Sequence, residues 1–73
     1  MMDLKNYYGK KVKLIDASGK SWEGIIRDYI YPEDNYNFKE SIVMDVDNIG
    51  PIEFYKDDIN QIEIVCQLLQ KEK

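Results

Sequence analysis

Residues 34–37 place a carboxylate (Asp34), two carboxamides (Asn35 and Asn37) and a phenol (Tyr36) side by side. A carboxamide donates and accepts hydrogen bonds at once, which matches the edge of a nucleobase, and a tyrosine ring offers a face on which a base can stack. The same residue types also build solvated turns. The tyrosines form a second constellation. Tyr7, Tyr8, Tyr29, Tyr31 and Tyr55, together with Tyr36, make six in a chain of 73 residues. Gathered in one groove, such rings suit a peptide, a proline-rich segment or a methylated side chain. Dispersed, they complete a thin core and send their hydroxyls to water at its rim.

Other chemistries are poorly served. The stretch DVDNIG at residues 45–50 begins like a calcium loop, with carboxylates at alternate positions and then a glycine. Its fifth position is Ile49 and its twelfth is Lys56, so the bidentate glutamate that completes such a loop is missing. There is no histidine for acid–base work or zinc ligation, and the single cysteine, Cys66, has no candidate base near it. Cys66 reads as a small apolar residue at a strand end. Asp57 and Asp58 are chain neighbours on a turn rather than two acids facing across a cleft, so they read as solvated surface. The expectation is a protein without enzymatic activity, metal or cofactor.

A formal net charge of −4 opposes general phosphate binding, which needs a surplus of lysine and arginine facing the backbone. The average hides an asymmetry: residues 1–27 carry six basic and three acidic side chains, and residues 28–73 carry four and eleven. Lys5, Lys10, Lys11, Lys13 and Lys20 therefore either form a positive face or solvate the outer side of a strand and its flanks. One unpaired cysteine and an N-terminal stretch without an apolar run fit a reducing, cytoplasmic setting. No apolar run approaches the ~20 residues that span a bilayer, so no membrane is expected. At 73 residues the chain allows one domain, and with no disulfide it must rely on tight packing or oligomerisation.

Five extended segments position these side chains. Residues 10–15 alternate, with Val12 and Leu14 on one face and Lys11 and Lys13 on the other. A turn with Gly19 follows. Residues 21–31 form a long second strand with Gly24 inside it, which is the place for a sharp bend that turns Trp22 and Ile26 inward. Beyond the bend Ile25, Tyr29 and Tyr31 share one parity while Asp28 and Ile30 share the other, so a bulge is needed, at a position the pattern does not specify. Residues 32–39 read as a loop, 40–47 as a third strand, 52–55 as a fourth and 61–65 as a fifth, with a 3-10 turn before the last. Leu4, Tyr7 and Tyr8 suit a short helical turn capping one end. The expected core is Val12, Leu14, Trp22, Ile26, Ile42, Met44, Ile52, Phe54, Ile59, Ile62 and Ile64. Five short strands with a bent second strand bury their apolar faces by curling into a small, mainly all-β barrel over residues 1–65, and residues 66–73 form a tail that docks or frays.

This pattern resembles the Sm-like family of small, Src-homology-3-like barrels, which includes spliceosomal core proteins and a bacterial host-factor RNA chaperone. The likeness is carried by GKKVKLIDASGKSWEGII at residues 9–26, similar to the family's first motif with its turn and bend glycines, and by KDDINQIEIV at 56–65, similar to its closing turn and last strand. The resemblance implies a pocket for uracil-type single-stranded RNA built from Asp34, Tyr36 and Asn37, with Tyr36 where the family often has methionine. Phosphates would meet Lys11, Lys13, Lys20 and Arg27. It also implies assembly of copies by pairing of sheet edges. Two departures stand beside it. The stretch from Gly24 to Asp34 is about three residues longer than the family pattern, and NIGPIEF at residues 48–54 stands where the family has Arg or Lys followed by Gly. The rival expectation is a protein-interaction module using the tyrosine groove and exposed sheet edges, without RNA.

Overall fold

The computed structural model describes residues 3–65. Five strands, β1 (Lys11–Asp16), β2 (Ser21–Ile30), β3 (Ser41–Val46), β4 (Gly50–Tyr55) and β5 (Ile59–Ile64), form one antiparallel sheet in the order β4-β3-β2-β1-β5. One-turn 3-10 helices occupy Leu4–Tyr7, Pro32–Asp34 and Lys56–Asp58. The mainly all-β expectation is met, including the helical turn at the start and the 3-10 turn before β5. Among the described residues no helix is long and apolar enough to cross a membrane. The expectations for Cys66 and for the tail at 66–73 lie outside the described residues.

Gly24 organises the sheet. It pairs with Val12 of β1 on one side and with Val46 of β3 on the other, where the two halves of β2 part company. A Cβ at this position would overlap the Asp45 carbonyl oxygen and lie 2.8 Å from Val46 Cα, so β3 crosses β2 at a distance only glycine allows. The resulting curl brings Trp22 of β2 against Phe54 of β4, two strands away in the sheet, with ring centroids 5.6 Å apart.

The bulge that the parity conflict demanded lies at Arg27. Ile26 faces Met44 and Asp28 faces Val43, so Arg27 is the extra residue on β2 and resets the alternation. Before it Gly24 and Ile26 are buried; after it Tyr29, opposite Ile42, takes the core side.

Leu4, Val12, Leu14, Ile26, Ile42, Met44, Val46, Phe54, Ile59 and Ile62 form the core, with Tyr7, Trp22, Tyr29 and Ile52 partly buried against it. Ile64, expected inside, is a correction. It faces Val12 on the core side of the sheet yet is 52% exposed, at the end of β5, which among the described residues has β1 as its one neighbouring strand. Leu4, brought over by the first 3-10 turn, and Val46, at the end of β3, join the core instead. β4 begins at Gly50 and carries Pro51, whose missing N–H an edge strand tolerates because its outer side has no ladder to complete among the described residues.

Candidate functional site

The loop between β2 and β3 is braced by its own polar side chains. Asn35 Nδ2 donates to the Lys39 carbonyl at 2.6 Å and to Ser41 Oγ at 3.1 Å. Asn37 Oδ1 accepts the Lys39 N–H at 3.2 Å, and the Phe38 N–H donates to the Asn35 carbonyl at 3.0 Å. The fully buried Ser41 hydroxyl donates to Glu53 Oε2 at 2.7 Å, and Lys39 Nζ meets Asp57 Oδ2 at 2.6 Å. The carboxamides that suit a nucleobase edge thus hold the loop in shape. Asp34 and Tyr36 remain outside this bracing, Tyr36 with 87% of its surface exposed. Phe38, which sequence reasoning passed over, is 74% exposed and has a φ of +57°, a left-handed conformation that glycine normally fills. Its place at the end of an Asn-rich turn was the available signal.

The four candidate phosphate contacts are dispersed. Lys11 pairs with Asp47 at 3.1 Å. Lys13 stands between its cross-strand neighbours Glu23 and Glu63. Lys20 lies 4.3 Å over the Trp22 ring, at the opposite end of β2 from the Asp34–Asn37 cluster. Arg27 occupies the bulge.

At the Lys20 end, Asp16 Oδ1 accepts from the Ser18 N–H at 2.9 Å, the Ser18 hydroxyl at 2.7 Å and the Lys20 N–H at 3.0 Å, while Oδ2 accepts from Trp22 Nε1 at 3.0 Å. The indole donor, followed by the Ser18 hydroxyl, holds the Asp16 carboxyl at about 2. Asp16 and Asp58 line a cavity of about 310 Å³ with Ala17, Ser18 and Phe54. The Asp16 carboxylate thus serves the turn as an acceptor from four donors, and among the described residues no three metal-binding side chains cluster.

The other end of the molecule gathers aromatic rings. Tyr8, Tyr29 and Tyr31, with Lys5 and Asp28, line a cavity of about 320 Å³. Tyr29 and Tyr31 meet edge to face, with centroids 5.0 Å apart and planes at 80°. The Arg27 bulge sets Tyr29 toward the core, and Tyr31 follows beyond the end of β2. Tyr8 is held by the backbone around it, where the Gly9 N–H donates to the Ile26 carbonyl at 2.8 Å and the Lys10 N–H to the Tyr7 carbonyl at 3.0 Å.

Behind the cavity the Tyr29 hydroxyl donates to Glu40 Oε1 at 2.7 Å, and Lys56 meets Glu40 Oε2 at 3.1 Å. The bond to Glu40 pushes the Tyr29 phenol up to about 12, and the same bond, with help from Lys56, holds the Glu40 carboxyl below its usual range. Of the five candidate groove tyrosines the structure brings together Tyr8, Tyr29 and Tyr31. Tyr7 packs on the core, and Tyr55 stands on β4 opposite Ser41, its phenol raised first by desolvation. Lys5 and Asp28 line the same cavity and Glu40 anchors the Tyr29 hydroxyl; the sequence pattern offered Lys5 only as part of a positive face, and nothing local marks Asp28 or Glu40 as its companions.

Comparison with known proteins finds no matching family model, no matching curated protein and no matching solved structure.

Proposed function

We propose that this chain is a non-enzymatic, cytoplasmic binding module, a small Sm-like barrel whose tyrosine cavity receives a segment of another protein. The observation that carries this reading is the perpendicular Tyr29–Tyr31 pair, which with Tyr8 walls a cavity of about 320 Å³ at the surface. Rigid aromatic walls around a concavity are what short peptide segments use for affinity. The Glu40–Tyr29 hydrogen bond adds to it by fixing one wall in place. Closure of the sheet into a barrel accords with the Trp22–Phe54 contact, and among the described residues the strand order leaves β4 and β5 with one neighbour each, which suits assembly of copies through those edges.

One observation favours single-stranded RNA as a second reading: the Tyr36 ring is 87% exposed and free to stack on a base, next to exposed Asp34. The braced asparagines and dispersed cations weigh toward the protein partner.

A photo-crosslinking phenylalanine analogue at position 31, and separately at position 36, separates the two in lysate treated with nuclease. The expected result is a protein adduct from position 31 that survives nuclease. The reading fails if position 31 yields no protein adduct while a uridine-rich oligomer binds at low salt, weakens steeply with added salt and is lost in Tyr36→Ala.

A further inference from the structure

We infer that the tyrosine cavity recognises an arginine side chain of the partner segment, its guanidinium seated in the corner between the Tyr29 and Tyr31 rings and facing the Asp28 carboxylate. This rests on the reading of the cavity as a protein-binding site and names the chemistry that fills it.

Three features of the cavity converge on a cation. Tyr29 and Tyr31 meet edge to face with planes at 80°, so a cation stacked on the ring whose edge makes the contact also lies beside the face of the other. Donation of the Tyr29 hydroxyl to the Glu40 carboxylate at 2.7 Å makes that ring more electron-rich, which strengthens its attraction for positive charge. Asp28 lines the same cavity. Its Oδ1 accepts the Tyr29 N–H at 2.9 Å, which fixes the carboxylate beside the corner, and among the described residues no lysine or arginine forms an ion pair with it.

Arginine fits better than lysine. A planar guanidinium stacks on one ring while its edge N–H groups reach a carboxylate, whereas an ammonium is more strongly hydrated and costs more to desolvate. Its methylene stem has the third wall, Tyr8, to lie along. Among the described residues Lys5 carries the one positive charge in the cavity lining, and it is offset by Glu40, whose carboxyl its field helps to lower.

The test uses the full chain and blocked pentapeptides with arginine, citrulline or proline at the centre of a glycine frame, followed through the tyrosine ring resonances. Citrulline keeps the shape of arginine and loses the charge. The arginine peptide is expected to shift the Tyr29 and Tyr31 rings, to bind about tenfold more tightly than citrulline and to weaken with added salt. Asp28→Asn and Tyr31→Ala are each expected to weaken it about fivefold; Asp28→Asn, at an exposed position, leaves the melting temperature unchanged, and Tyr31→Ala, which loses the edge-to-face contact with Tyr29, lowers it by a few degrees while the chain stays folded. Equal binding of citrulline overturns the inference. A proline peptide that shifts these rings more strongly than arginine also overturns it, while leaving the protein-binding reading intact. If no peptide shifts them the inference is again overturned, and the protein-binding reading is then decided by the crosslink from position 31.

Discussion

The Trp22 indole donates to Asp16 Oδ2 at 3.0 Å, so the only tryptophan of the chain is tied to the carboxylate that also organises the β1–β2 turn. Lys20 covers the same ring from outside, and Phe54 meets it from inside. One side chain thus joins the turn, the bent strand and the far half of the sheet.

That bond makes acid stability readable through one fluorophore. The carboxyl titrates at about 2 in the folded chain, below its ordinary 3.8, because the charged form gains the indole and hydroxyl donors. A depressed carboxyl contributes stability that is full above the ordinary value and disappears as the pH falls from there through the folded value. Tryptophan emission followed from pH 5 to pH 1.5 is expected to show a step near 2 that Asp16→Asn abolishes. A step near the ordinary carboxylate value in the unmodified chain would contradict the assignment.

Tyr29 works in the opposite direction. Its phenol is pushed up from 10.0 to about 12 by the bond to Glu40, so its contribution is complete below pH 10 and is lost as the pH rises through 12. Besides Tyr55, whose phenol is raised by desolvation rather than by Glu40, ultraviolet titration of the tyrosinate band should find one late-ionising residue. Glu40→Gln, which keeps an acceptor but removes the charge, is expected to bring that residue back toward the others; an unchanged late phase would place it elsewhere.

At Gly24, alanine must push Asp45 and Val46 away from β2, and the obstacle is backbone rather than the end of a flexible side chain. The expected loss is about 3 kcal/mol, measured by urea denaturation. Alanine at Gly19, where a Cβ meets nothing within 4 Å, serves as the control; there the penalty comes from the φ of +91° alone and is about 1 kcal/mol. Equal losses at the two positions would remove the argument for a crossing that only glycine permits.

Phe38 sits at a φ of +57° with most of its ring in water, so burial returns little for the backbone conformation. Phe38→Gly is therefore expected to raise stability by about 1 kcal/mol, read as a higher melting temperature. Phe38→Ala, which keeps the Cβ, should not share the gain. A lower melting temperature for the glycine variant would show that the ring has a packing role.

The strands were legible because their signal is local. Alternation in residues 10–15 places Val12 and Leu14 inside whatever lies beyond them, and a glycine amid aromatic and β-branched residues marks a bend without reference to the rest of the chain. The parity conflict between Ile25 and Ile30 showed that an extra residue was needed. Arg27 could be identified only through the partners it skips, since a bulge is a relation between two strands. Ile64 has the right parity and was still misjudged, because its exposure follows from being at the end of an edge strand.

The sequence by itself determined the strands, the bend and nearly all of the core, since side-chain direction in an extended chain repeats every two residues wherever the strand ends up. The tertiary structure decided the site. It spent Asn35 and Asn37 on bracing a loop, dispersed the cations that the charge pattern suggested together, and placed Tyr8 with Tyr29 and Tyr31 in one cavity that Lys5 and Asp28 also line. Those neighbours come from different segments of the chain, and their meeting depends on how far the sheet curls and where β2 takes its extra residue.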